Sequence, residues 1–213
     1  MKPKELTITS WGQSQSAEMT AFRPERLSAV INAIREQSED TRIIACGAGR
    51  NYGDLGMRQK GCAILSSRMD RFLSFDERCG VVAVEPGITF AELYAFTSNR
   101  GFLPPVVPGT GLVTLGGGVA SDIHGKNHDS QGCLGEHIEW LDLILASGEP
   151  VRATRTEHPE LFSATIGGCG LTGVISAIGL KLQKLRANAV RAREWRVKDL
   201  DQFLDLMQEH RKS

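Results

Sequence analysis

Residues 108–128 read Pro-Gly-Thr-Gly-Leu-Val-Thr-Leu-Gly-Gly-Gly-Val-Ala-Ser-Asp-Ile-His-Gly-Lys-Asn-His. Glycines at 109, 116, 117 and 118 remove side-chain bulk, so backbone N–H groups can lie directly against a ligand. Thr110, Thr114 and Ser121 add short hydroxyls, and His124 and Lys126 bring a titratable ring and a cation to the far end. A surface loop gains little from such a composition. A cradle for a pyrophosphate and a flat, polar-edged ring needs it.

Two more glycine clusters lie on either side. The first runs Gly47, Ala48, Gly49, Arg50, Asn51, Tyr52, Gly53, Asp54 and follows a short apolar strand expected over residues 42–46. Successive N–H groups in such a turn can converge on a phosphate, with Arg50 adding charge. The same residues also suit a tight turn with an exposed arginine. The other cluster, residues 167–173, holds a formal G-x-G-x-x-G at Gly168, Gly170 and Gly173. A dinucleotide fingerprint needs a strand before it and a helix after it. Here a helix precedes and an apolar strand follows, so the Rossmann reading fails. A glycine turn that permits close backbone packing fits, and a backbone edge facing a cofactor stays open.

Working outward, hydrophobic spacing predicts a helix over residues 24–39, strands over 62–65 and 81–84, and a helix from Thr89 to near Gly101 opened by a Thr89/Glu92 capping box. A loop is expected over residues 103–118, and a β-hairpin from 138 to about 151. A short helix over 158–166 and a strand over 174–182 follow. In the tail, residues 189–197 suit a strand and residues 199–211 a helix with Leu200, Phe203, Leu204 and Met207 on one face. The mixture is α+β with many short strands rather than a regular βαβ alternation.

Composition narrows the functions available. Hydrophobic residues make up 41% and charged residues 23%, as expected of a chain with a packed core. Lys+Arg and Asp+Glu both count 25, with no basic run, so no nucleic-acid partner is expected. The five cysteines are scattered, odd in number and never spaced C-x-x-C, which points to a reducing compartment and away from disulfides or structural zinc. Residues 1–20 lack the apolar core of a signal peptide, and no apolar run has transmembrane length, so a cytoplasmic location is expected. His124 and His128 have i, i+4 spacing, but Gly125 and Asn127 disfavour a helix between them and no third ligand has suitable spacing, so no metal is expected. Asp142 sits within an apolar run, as a catalytic group, on the polar face of a strand, or paired with a backbone group. G-x-S-x-G and G-x-x-x-x-G-K-[ST] are both absent, which leaves hydrolase and ATPase readings without support.

Taken in order, the three clusters resemble the FAD-binding domain of the vanillyl-alcohol oxidase/p-cresol methylhydroxylase (PCMH) type over roughly residues 10–185. The segments Gly-Arg-Asn-Tyr-Gly-Asp (49–54), Pro-Gly-Thr (108–110), Val-Thr-Leu-Gly-Gly (113–117), Asp-Ile-His-Gly-Lys-Asn-His (122–128) and Gly-Leu-Thr-Gly-Val-Ile (170–175) are similar, more narrowly, to the decaprenylphosphoryl-ribose 2-oxidase group of that family. The resemblance implies a PCMH-type domain of two α+β subdomains over residues 1–185, followed at 186–213 by the truncated beginning of a substrate-capping domain. It implies FAD held by residues 47–54, by Pro108, Gly109, Thr110 and Thr114, and by Leu115, Gly116 and Gly117. Ser121, Asp122, Ile123, His124 and Gly125 would lie along the cofactor, and Ile175 would meet the adenine through its backbone. Many relatives bind FAD covalently through a histidine in the first loop; Tyr52 occupies the matching place, so the expectation is non-covalent FAD.

Chemically, the resemblance implies oxidation of a secondary alcohol on a phosphorylated or prenyl-phosphate-linked sugar, with hydride passing to flavin N5. His124 and Lys126 are the expected catalytic residues, one beside the ring and one facing the substrate. A partner reductase would complete an epimerisation in cell-wall biosynthesis, and a second chain would supply the rest of the cap. Two other readings stay open: a non-catalytic FAD-binding fragment or module, and an alditol or lactone oxidase of the same fold.

Overall fold

The computed structural model describes residues 2–38, 41–187 and 192–210. Along the chain run β1 (Lys4–Thr9), β2 (Ser16–Phe22), α1 (Leu27–Arg35), β3 (Ile43–Cys46), β4 (Cys62–Leu65), β5 (Phe72–Asp76), β6 (Val81–Val84), α2 (Phe90–Ser98) and β7 (Phe102–Leu103). Then come α3 (Leu115–Ala120), α4 (His128–Gln131), β8 (Ile138–Ile144), β9 (Pro150–Thr154), α5 (Pro159–Thr165), β10 (Val174–Lys181), β11 (Gln183–Lys184) and α6 (Leu200–His210).

The strands form two main sheets, one of four strands in the order β1-β2-β4-β3 and one of five in the order β5-β6-β10-β8-β9. In the first, β1 and β2 are an antiparallel hairpin, while β4 runs parallel to both β2 and β3. All pairings in the second are antiparallel, and the expected hairpin is β8–β9, with Leu141 opposite Ala153. The α+β expectation holds, in two subdomains each built on one sheet.

Burial follows the strand alternation. Cys62 and Ile64 of β4 face α1, where they pack with Val30, Ala33 and Ile34. Their neighbours Ala63 and Leu65 face the other way and pack with Ala17, Met19 and Ala21. Among the described residues no helix packs into that second cluster. The larger core lies between the five-stranded sheet and helices α2, α3 and α5, around Phe90, Leu93, Leu115, Val119, Leu141 and Phe162. Ile144 and Val174, from the five-stranded sheet, enter the core beneath α1, so the two subdomains share apolar packing.

Several expectations change. Residues 2–22 supply β1 and β2, where the sequence reading assigned no element. The first helix is shorter than expected: Arg26 is its N-cap, and Glu36 closes it, its N–H donating to the Asn32 carbonyl. Glu39, its expected end, lies outside the described residues. The loop expected over 103–118 gives way at Leu115 to α3. Three glycines argue against a helix there on propensity, but Thr114 caps it, its Oγ1 accepting from the Gly117 N–H at 3.3 Å. Tertiary bonds complete the anchor: Leu115 N–H donates to the Ile88 carbonyl at 2.7 Å and Gly116 N–H to Pro86 at 2.9 Å. The Thr89/Glu92 capping box is present, with Glu92 accepting from the Thr89 N–H at 2.8 Å. In the tail, residues 192–197 form no strand, and Ala189, Val190 and Arg191 of that expected element lie outside the described residues. Among the described residues no helix is long and apolar enough to cross a membrane.

The corner at Gly87 ties these parts together. Its N–H donates to the Met69 carbonyl at 2.7 Å, and an added Cβ would stand 2.1 Å from the Ser66 carbonyl oxygen and 2.7 Å from that of Met69. Beside it the buried Glu85 carboxylate pairs with Arg71 at 2.6 Å and accepts from the Arg71 N–H at 3.0 Å. Gly87→Ala is therefore expected to lower the melting temperature by about 3–10 °C through forced backbone displacement. Gly53→Ala, with no atom within 4 Å of the added Cβ, serves as the control and is expected to leave it unchanged. Thermal melts followed by circular dichroism compare the two.

Candidate functional site

The face of the four-stranded sheet turned away from α1 is the floor of a cavity of about 720 Å³, within the range of small-molecule sites. Leu6, Ile8, Met57 and Leu65 make the floor apolar. One wall is the loop from Gly47 to Gly53 with Leu55 and Gly56; the other is α3 and its surroundings, namely Val113, Thr114, Gly117, Ala120, Ser121 and Ile123, with Cys169 also lining the space. The charged residues lining it are Arg23 and Arg50, and no carboxylate joins them. A net-neutral chain thus keeps a locally positive cavity.

The 47–53 loop is shaped by bonds that leave its own donors free. Cys46 Sγ donates to the Gly56 carbonyl at 2.8 Å, closing the loop at its base. Asn51 Nδ2 donates to the carbonyls of Gly53 and Leu55 at 3.2 and 2.6 Å. The Trp11 N–H donates to the Asn51 carbonyl at 3.0 Å. Gly49 takes φ +63°, a left-handed conformation that suits glycine. Among the described residues, no backbone N–H from Gly47 to Gly53 donates to another protein group. Arg50 Nε is shielded from solvent and has no partner. A buried donor such as this Nε is rare without a partner, and the undonated amides beside it belong to half-buried or exposed residues that line the same cavity. At Gly47 an added Cβ would stand 2.3 Å from Thr114 Oγ1, so glycine is what lets the loop meet the cap of α3. Free amides, a shielded guanidinium and an apolar floor fit a ligand with an anionic middle and flat apolar parts.

The other expected site residues are distributed differently. Pro108, Gly109 and Lys126 line a second cavity of about 450 Å³ with Leu103, Pro104, Pro105, Val107, Asn127 and Gln183. Asn127 Nδ2 donates to the Pro105 carbonyl at 2.8 Å and fixes that corner. Leu115 and Gly116 are buried with their amides engaged inside the protein, and Ile175 belongs to the main core. Asp122, at φ +40°, accepts from the Gly135 N–H at 2.8 Å. Thr110 Oγ1 accepts from Leu112 N–H, and Asp54 is exposed with its carbonyl bonded to Met57 N–H. Gly125 is buried against Val107, whose carbonyl oxygen an added Cβ would meet at 2.8 Å.

Exposed His124 bridges Cys133, and its ring lies 5.1 Å from that of His128. The two histidines share no helix, because α4 begins at His128. His124 Nδ1 is 3.5 Å from the Gly125 carbonyl, at the outer limit of a hydrogen bond. Asp142 pairs with Arg152 through two bonds of 2.7 and 2.8 Å. The residues missed from sequence are chiefly the floor and Arg23. Leu6 and Ile8 carried a period-2 signal, whereas Arg23, Leu65 and Cys169 join the cavity only through the tertiary fold.

Comparison with known proteins places the chain in a class. A family model described as an FAD binding domain matches residues 20–154, and the chain belongs to that family, whose cofactor is FAD. Among relatives, it is 35% identical over 172 residues to the decaprenylphosphoryl-beta-D-ribose oxidase of Mycolicibacterium smegmatis, covering 79% of this chain and 37% of that protein. It is 28% identical to the D-lactate dehydrogenase of Anaerostipes hadrus over 76% of this chain and 35% of the relative. The human delta(24)-sterol reductase is 30% identical, over 88% of this chain and 38% of the relative. The chain therefore spans little more than a third of the length of these relatives.

Two buried thiols report on the four-stranded sheet, Cys46 on its cavity face and Cys62 on the face beneath α1. Burial, with a smaller contribution from Cys62, pushes the Cys46 thiol up to about 12, and burial pushes Cys62 up to about 11. Both should react with iodoacetamide at pH 8 at least about tenfold more slowly than exposed Cys79, as read by peptide mass spectrometry. Comparable rates would show the sheet open to solvent. Since both folded-state values lie above the ordinary value of 9.0, the unfolded chain loses these protons first, and stability should fall as pH rises past 9.

Proposed function

We propose that this chain holds FAD non-covalently in the larger cavity, as part of an oxidoreductase that oxidises a secondary alcohol of a phosphorylated or prenyl-phosphate-linked sugar. The observation that carries the reading is the row of undonated amides from Gly47 to Gly53 beside the unpartnered Arg50 Nε. The sugar class is supported by the likeness to the ribose oxidase.

In this reading the residue 47–53 amides and Arg50 receive the diphosphate, which needs several donors and positive charge in a small space. The apolar floor of Leu6, Ile8 and Leu65 shields the flat parts from water. Thr114, Gly117, Ser121 and Ile123 form the facing wall. Tyr52, 78% exposed at the rim, offers no imidazole for a covalent link. Bound FAD supplies a two-electron acceptor that no side chain can replace. The proton would go to His124, which lines neither cavity itself but follows Ile123 of the first in the chain and precedes Lys126 of the second by two residues, with a ring only lightly committed to the Gly125 carbonyl. The Lys126 ammonium gives a point charge for phosphate or sugar oxygens, beside the proline wall of the second cavity.

Purified chain incubated with FAD should carry a flavin absorption band that passes wholly to the supernatant on acid precipitation. A band left in the pellet would contradict non-covalent binding, and no band at all would contradict the site. Lys126→Met should weaken binding of ribose 5-phosphate by about tenfold while leaving FAD affinity unchanged. Equal loss of both would remove Lys126 from the substrate side. Isothermal titration reads both ligands.

A further inference from the structure

Arg50 reaches the cavity without a carboxylate to hold it, since among the described residues no acidic group pairs with it. What stands against it is Trp11, with the guanidinium carbon 4.6 Å from the centre of the indole ring. Trp11 lies in the turn between β1 and β2, far in sequence from the glycine loop but tied to it by its N–H bond to the Asn51 carbonyl. The next residue keeps the same contact close: a Cβ on Gly12 would meet the Tyr52 carbonyl oxygen at 3.6 Å. Yet Trp11 is 50% exposed and belongs to no core, so packing alone gives little reason for so large a ring.

We propose that Trp11 is a positioning residue for the cofactor, acting through Arg50; the inference rests on the FAD reading above. An indole face attracts a guanidinium through its ring quadrupole and is the strongest such platform among the aromatic side chains. Unlike a carboxylate, it occupies the face of the guanidinium and leaves its N–H edge free. It also leaves the positive charge uncancelled. A cation held this way keeps both its donors and its field for an anion, which an Arg–Asp or Arg–Glu pair would have spent on the protein. The unpartnered Nε of Arg50 marks a guanidinium that no protein acceptor holds.

The test is a titration of FAD against the full chain and the variants Trp11→Phe, Trp11→Leu, Arg50→Met and the double variant Trp11→Leu/Arg50→Met, read by flavin fluorescence. Phe keeps an aromatic face and should stay within about threefold of the unaltered affinity, while Leu should bind about three- to tenfold more weakly. In the Arg50→Met background the Leu substitution should have no further effect, because its partner is gone. Equal losses with Phe and Leu, or additive losses in the double variant, would overturn the inference in favour of a plain structural role. If Arg50→Met weakens FAD binding and Trp11→Leu does not, the inference fails while the site reading stands. If the unaltered chain binds no FAD, both fall.

Discussion

The bonds from Leu115 and Gly116 to the carbonyls of Ile88 and Pro86 decide where α3 stands, and much of the candidate site depends on that placement. The corner they dock on is itself immobilised. Gly87 sits against the Ser66 and Met69 carbonyls with no room for a methyl group, and Glu85 is clamped by Arg71. Residues 66–71 lead out of the four-stranded sheet, while residues 85–88 lead out of the five-stranded one. One corner therefore sets the distance between the floor of the cavity, which belongs to the first sheet, and its wall, which belongs to α3. Three glycines weaken α3 as an isolated helix, and its stability is mostly borrowed from this contact.

How much of this was legible beforehand depended on whether the signal was local. The apolar runs at 62–65, 81–84 and 174–182 announced strands, and Thr89 with Glu92 announced a helix start, because each is written within a few residues. β1 and β2 were harder to see: Lys-Glu-Leu-Thr-Ile-Thr and Ser-Ala-Glu-Met-Thr-Ala-Phe mix small, polar and charged residues, and one sheet face opens on a cavity rather than a deep core. α3 was missed because its anchors lie some thirty residues away.

The site was legible to the same extent. The 47–53 cluster could be read from its glycines, and the structure leaves its amides undonated. The 115–116 glycine-rich segment reads the same way in sequence, yet its amides are used to dock the helix, and a Cβ at Gly116 would stand 2.6 Å from Pro86 Cβ. Composition cannot tell a glycine beside an open cavity from one that admits a neighbouring segment. Charge behaves likewise. A balance of 25 basic against 25 acidic residues says nothing about a cavity whose charged lining consists of Arg23 and Arg50.

The packing of Ile144 and Val174 beneath α1 has a mechanical meaning. Residues of the five-stranded sheet are embedded in the core of the four-stranded one, and Arg35 Nη2 reaches across to the Gly148 carbonyl at 3.2 Å. Two bodies joined by a common apolar seam cannot swing like jaws without exposing it to water, at a cost of about 25 cal/mol for each Å² uncovered. The cleft behaves as a fixed slot rather than a clamp. Exchange of any ligand it takes would then depend on the motion of short rim segments, such as the turn bearing Trp11, and would run on the clock of loops rather than of domains.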